Sequence, residues 1–156
     1  MIRKNVRQCG FTLLELMFAL AVAIVLMSIA VPSYISYVDK SKNTTAIADI
    51  NLIQSNIERF YTETFQYPAT LADISIPNNG KDPWGNAYVY LNIVDGGPGI
   101  KSQVRKDRKL NPINRLYDLY SMGKNGVTKT QITQKDSLDD IILARDGSFV
   151  GIASDF

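Results

Sequence analysis

Glu15 is the first residue of this 156-residue chain whose type and place demand a chemical explanation. It stands in Phe11–Val31, a run of 21 residues in which it is the sole charge. A carboxylate at the centre of a bilayer costs roughly 2.5–3.5 kcal/mol on insertion scales, less near the interface. It therefore needs a partner, and nothing basic lies within reach along the helix. Cleavage between Gly10 and Phe11 would supply one, because the new α-ammonium of Phe11 could neutralise Glu15 in its own chain or in a neighbouring copy. Between copies, such a pair would set the axial stagger of two helices, as a polar position sets register in a coiled coil. Glu15 thus reads as an assembly device.

A second group of oxygen donors lies near the C-terminus: Asn125, Asp136, Asp139 and Asp140, with Asp118 just before them. Hard cations such as calcium take six to eight oxygens from carboxylates, amides and backbone carbonyls, and this stretch could supply them. Hydrated loop acids explain the same composition, and the EF-hand spacing is absent. Lys101, Arg105, Lys106, Arg108 and Lys109 form a basic cluster, interrupted by Asp107 and without interleaved aromatic residues for stacking on bases. A solvated loop is the expected reading, with a subunit contact ahead of nucleic acid.

Much chemistry is excluded. The chain has no histidine, and its one cysteine, Cys9, precedes the apolar run. Ser-His and Cys-His machinery, imidazole ligands and an intrachain disulfide are therefore absent. No G-x-S-x-G motif occurs. Asp139 and Asp140, adjacent on one segment, do not flank a substrate in the manner of a catalytic carboxylate pair. A membrane-tethered enzyme is the weaker reading, and no catalytic residue is expected. The formal charge is +2 (17 minus 15). Without Arg3, Lys4 and Arg7 it becomes −1 (14 minus 15), which gives no electrostatic argument for nucleic acid.

The elements that must position these residues follow from periodicity. At 1.5 Å per residue, the apolar run makes roughly 31 Å of helix, about one hydrocarbon thickness. A buried core helix would need a larger domain around it, and Val31-Pro32-Ser33-Tyr34 is a poor signal-peptidase site. The basic flank Arg3, Lys4 and Arg7 orients the span N-in and C-out. The helix continues past Pro32 with a bend, and Ile47, Ile50, Ile53, Ile57, Phe60 and Tyr61 give it one apolar face suited to a sheet. Tyr67-Pro68 ends it. Strands are expected at 87–94 and 116–122, with a hairpin turning at Asp146-Gly147. The long 95–115 excursion and the stretch from 128 to 140 read as loop.

The stretch "KNVRQCGFTLLELMFALAVAIVL" resembles the type IV prepilin class: a short basic leader ending in Gly, then Phe-Thr-Leu-x-Glu, then an apolar run. "QYPATLADI", "DPWGNAYVY" and "DLYSMGKNG…DDI" extend the resemblance to the major pseudopilins of type II secretion systems, over most of residues 3–142. The resemblance implies an α+β, pilin-like fold, with a long N-terminal helix whose second half packs on a small antiparallel sheet. It divides the chain into leader 1–10, transmembrane and filament-core helix 11–32, amphipathic continuation 33–66 and β-rich globular region 67–156. It further implies prepilin peptidase cleavage at Gly10–Phe11, N-methylation of Phe11, and contact of Glu15 with Phe11 of an adjacent subunit.

In that family calcium is held by the final loop. The candidate ligands carried over are Asn125, Asp136, Asp139 and Asp140, with backbone carbonyls near Met122. Asn125 departs from the family's aspartate, the loop is a few residues longer, and its usual glycines are missing. The expected function is a structural subunit of a pseudopilus. It would sit first in the inner membrane with its C-terminal body in the periplasm, and then in a periplasmic or surface filament. The implied partners are further copies, minor pseudopilins or pilins, the prepilin peptidase and an inner-membrane assembly platform driven by a cytoplasmic ATPase; no nucleic acid is expected. The alternative is a type IV pilin of a surface fibre, which usually carries a C-terminal disulfide loop that this chain cannot form.

Overall fold

The computed structural model describes residues 10–97 and 99–156. The basic leader residues Arg3, Lys4 and Arg7, and Cys9, lie outside the described residues. The chain divides into two compact units, Met1–Asp39 and Lys40–Phe156.

The first unit carries the first half of one helix, α1 (Leu13–Thr64), which runs through Pro32. Its most apolar stretch is long enough to cross a membrane, and none of that stretch is buried within the chain. Leu14, Phe18, Ile24, Val25 and Ile29 are all more than 60 % exposed. A helix that is apolar on every side cannot be satisfied by a single sheet. Pro32 removes one N–H from the ladder without breaking the helix. At the next residue, the Ser33 hydroxyl donates to the Ile29 carbonyl at 3.0 Å.

In the second unit α1 becomes amphipathic. Ile50, Ile53 and Ile57 are fully buried and Ile47 is half-buried, as the spacing predicts. Two expectations are corrected. Phe60 is only half-buried and Tyr61 is 41 % exposed, stacked on Tyr67 with ring centroids 4.6 Å apart. The buried stripe gains Ala46 and Asp49 instead. Asp49 is tolerated there because Tyr88 Oη and Asn78 Nδ2 both donate to its Oδ2 at 2.9 Å. Burial, followed by that bond to Asp49, raises the Tyr88 hydroxyl well above the usual tyrosine value. The helix ends at Thr64, one residue before Phe65 takes a left-handed conformation.

Four strands follow: β1 (Val89–Asn92), β2 (Tyr117–Ser121), β3 (Ile141–Ala144) and β4 (Phe149–Ile152). They form one antiparallel sheet in sequence order. Tyr120 stands opposite Ile142, and Ser121 opposite Ile141. That register sends Tyr117, Leu119, Ile141 and Leu143 to the face that packs on α1. Ile142 and Ala144 go to the other face, where Ile113, Ile132 and Ala153 cover them. Through Ile113 and Ile132, the two segments read as loop therefore cover the sheet's second face. A parallel bridge between Lys106 and Gln131 ties the two loop segments together.

The β3–β4 hairpin turns at Asp146, as the Asp-Gly pair predicts. Asp146 Oδ1 accepts the N–H groups of Arg115 (2.6 Å) and Leu116 (3.3 Å), and Oδ2 accepts Arg115 Nε at 3.0 Å. Burial works against its ionisation, but these bonds outweigh it and hold its carboxyl below the ordinary value of 3.8. The unfolded chain then binds more protons in that window, so the contribution is present above about pH 3.8 and is lost as pH falls through the lowered native value. Asp146→Asn should cost about 1 kcal/mol near neutral pH and progressively less in acid, measured by denaturant unfolding of the detergent-solubilised chain across the pH range.

Candidate functional site

At the start of α1, Thr12 and Glu15 bond each other reciprocally. The Thr12 N–H and hydroxyl both donate to Glu15 Oε2 at 3.1 Å, and the Glu15 N–H donates to Thr12 Oγ1 at 3.2 Å. This is a capping box, in which a threonine and a glutamate three residues on satisfy the first N–H groups of a helix. The signal was present in the sequence as Thr-x-x-Glu before an apolar run, and attention to the charge alone passes over it. Glu15 thus has a local role besides any partner in another copy. Phe11 is 80 % exposed. No described atom lies within 4 Å of where a Cβ on Gly10 would sit.

The second unit brings the other sequence motifs into one polar network. Asp82 Oδ1 accepts the N–H groups of Trp84 (3.0 Å) and Asn86 (2.8 Å), which folds the Asp-Pro-Trp-Gly-Asn turn. Its Oδ2 accepts the Ser121 hydroxyl at 2.6 Å, and Ser121 Oγ in turn accepts the Gly123 N–H at 3.0 Å. Asn86 Nδ2 donates to the Gly123 carbonyl at 3.1 Å. Gly123 has to be glycine: its φ is +64°, and a Cβ would lie 2.2 Å from the Asp139 carbonyl oxygen. The end of β2 is therefore held between the Trp84 turn and Asp139.

The candidate ligands fall in two groups: Asn125, Asp136 and Asp139 meet one another, while Asp140, like Asp118, bonds Arg105. Asp118 is buried, with Oδ2 accepting the Arg105 N–H at 2.6 Å and Oδ1 accepting Asn114 Nδ2 at 2.9 Å. Asp140 is fully buried and its Oδ2 lies 2.6 Å from Arg105 Nη2, with the Thr128 hydroxyl donating to the same oxygen. Burial raises both carboxyls above the usual range, and the hydrogen bonds and the guanidinium work against it. Asp139 faces Asn125 instead: its Oδ1 accepts Asn125 Nδ2 at 2.7 Å and its Oδ2 accepts the Asn125 N–H at 2.9 Å. Asp136 is exposed, and its backbone carbonyl accepts Asn125 Nδ2 at 3.1 Å. Met122 is half-buried beside Gly123. Among the described residues, no three His, Cys, Asp or Glu side chains come together as a metal-holding group.

Arg105 corrects the reading of the basic cluster as a solvated loop. Its side chain is 2 % exposed. The guanidinium lies 4.2 Å from the Tyr120 ring centre, and Nη1 donates to Thr128 Oγ1 and, at 2.9 Å, to the Lys129 carbonyl. Arg108 and Lys109 do lie at the surface. A charge run from which one member is withdrawn looks the same in sequence as one fully in water, so this role had no local signal.

A capped, fully apolar helix end that continues into an amphipathic stripe on a four-stranded antiparallel sheet defines a type IV pilin-like α+β protein. The description "Prokaryotic N-terminal methylation motif" matches residues 5–31, and "Type IV minor pilin ComP, DNA uptake sequence receptor" matches residues 32–90. The chain is 30 % identical to type II secretion system core protein G of Vibrio cholerae over 114 residues, 61 % of this chain and 78 % of that protein. It is 29 % identical to the Pseudomonas aeruginosa protein of that name over 140 residues, covering 77 % and 86 %. The Escherichia coli protein is 26 % identical over 149 residues, covering 83 % and 90 %. No solved structure matches the chain. The chain belongs to the family of type II secretion system core protein G, the major pseudopilins.

Breaking the buried Arg105–Asp140 pair should be costly, because it strands one charge in the interior. Arg105→Met is expected to destabilise the second unit by about 3–5 kcal/mol. Adding Asp140→Leu should recover much of that loss, measured as a double-mutant cycle in denaturant.

Proposed function

We propose that this chain is the repeated structural subunit of a pseudopilus-type filament of a type II protein secretion system, and that it performs no reaction of its own. The single observation that carries this is the helix start: a membrane-length apolar helix, unpartnered within its unit, that places one carboxylate at the fifth residue after the Gly10–Phe11 bond. Before assembly, 11–32 spans the inner membrane, N-in and C-out, with 33–66 and 67–156 on the periplasmic side. A prepilin peptidase cuts after Gly10. Nothing among the described residues crowds Gly10, so a requirement for glycine there belongs to the enzyme that reads it. The same processing methylates Phe11. In the filament, minor pseudopilins, the assembly platform and its ATPase act on the apolar helices as they leave lipid for a helical core.

Glu15 pairs with the Phe11 ammonium of the next copy. Its capping bonds both use Oε2, so Oε1 is the oxygen offered to that ammonium. A DNA-uptake pilin is the weaker reading. The stretch 32–90, which matches the DNA uptake receptor description, carries four basic side chains (Lys40, Lys42, Arg59, Lys81) against six acidic ones (Asp39, Asp49, Glu58, Glu63, Asp73, Asp82). That balance offers no electrostatic footprint to a phosphate backbone.

The cap and the ion pair can be separated. Glu15→Gln keeps a capping acceptor but removes the charge. It should insert in the membrane normally and fail to form filaments, as should Glu15→Ala and Glu15→Lys. Membrane fractionation and electron microscopy of assemblies read the two steps; normal filaments from the glutamine variant would sink the intersubunit pairing.

A further inference from the structure

We infer that the loop between β2 and β3 is closed by two internal donors, the Asn125 side-chain amide and the Arg105 guanidinium, in place of a divalent cation. The globular unit of this chain then folds without calcium.

A cation that joined Asp139 to the Asp136 carbonyl would have to lie between them. That place is taken. Asn125 Nδ2 bonds Asp139 Oδ1 at 2.7 Å and the Asp136 carbonyl at 3.1 Å, one hydrogen for each. The second Asp139 oxygen receives the Asn125 backbone N–H at 2.9 Å. An amide NH₂ is a donor only, so this nitrogen cannot itself be a ligand. The orientation of the amide is set by a further contact, since the Val127 N–H donates to Asn125 Oδ1 at 2.7 Å. Turning the amide over would set NH₂ against that N–H and Oδ1 against two oxygens, converting three attractions into three repulsions.

Asp140 is neutralised separately. Its Oδ2 is held by Arg105 Nη2 at 2.6 Å. Its Oδ1 is buried without a hydrogen-bond partner, and so is Arg105 Nε. A divalent ion drawn to that oxygen would meet a fixed guanidinium bonded to the sister oxygen, and Coulomb repulsion in a dry site opposes it. Asp136 contributes its backbone carbonyl to the Asn125 bond, and its side chain stays at the surface. The residues present therefore do not fit calcium: one ligand position donates hydrogen bonds, one acid is paired with arginine, and the loop is already drawn onto Gly123.

The test uses the purified full-length chain in detergent. Melting is followed by the fluorescence of Trp84, the sole tryptophan, whose turn reaches Gly123 through Asn86. Calcium at about 1 mM, against EGTA, should leave the wild-type midpoint unchanged to within about 1 °C, because a ligand stabilises only what it binds. Asn125→Asp replaces the donor with a carboxylate facing Asp139. Its midpoint in EGTA should fall by about 4–8 °C, and calcium should restore it. A wild-type midpoint that rises several degrees with calcium, or drops with EGTA, overturns the inference. So does an Asn125→Asp chain that melts like wild type in EGTA. The wild-type comparison decides the matter even if the variant fails to fold. Because it is read on unassembled chain, neither result depends on the filament reading.

Discussion

Within one uninterrupted element, Leu13–Thr64, this chain has to present an apolar surface on every side and then a single apolar stripe. The two halves obey different rules. Over 13–31 nothing in the chain covers the helix, its surface is apolar on nearly every side, and the one charge there, Glu15, caps the helix start. Where the sheet covers one side, only the line through Ala46, Ile50, Ile53 and Ile57 has to be apolar. The register of the sheet follows from that stripe. A one-residue slip in β2 would turn Tyr117 and Leu119 away from the isoleucines and bring Asp118 against them.

The second face of the sheet is held by polar bonds as much as by hydrophobic burial. Small chains have little apolar area to spare, and here two long segments without strands must still be fixed in place. Arg105 does this from one side, bonding Asp118 through its backbone, Asp140 through its guanidinium and Tyr120 through its charge. Asn114 does it from the other, donating to Asp118 and to the Leu143 carbonyl while accepting the Asp146 N–H. Each buried acid has a donor on another segment. A network of this kind specifies one arrangement, since leaving any member unpaired costs more than its bond contributes.

The same logic joins the motifs that carry the family likeness. The Trp84 turn, the end of β2 and the Asn125–Asp140 loop share Asp82, Ser121, Asn86 and Gly123 as contacts. Such positions constrain one another through space, although Asp82 and Ser121 are 39 residues apart. A cation is one way to collect the oxygens at the end of this network; an amide and a guanidinium are another.

What sequence alone determined here is what depends on neighbours along the chain. The apolar length, the Gly10–Phe11–Glu15 spacing, the isoleucine period, the two strand segments and the Asp146-Gly147 turn were all legible, because 3.6-residue and two-residue periods and turn chemistry are local. Even the Thr12–Glu15 cap was written there. Tertiary structure alone decided the role of each acid. Whether Asp140 is a ligand or the partner of an arginine depends on Arg105, 35 residues away, and whether the 95–115 segment is solvated depends on a sheet face waiting for Ile113. The physical reason is that a carboxylate's role is set by the donor that reaches it through space, and neither charge nor spacing along the chain records which donor that will be.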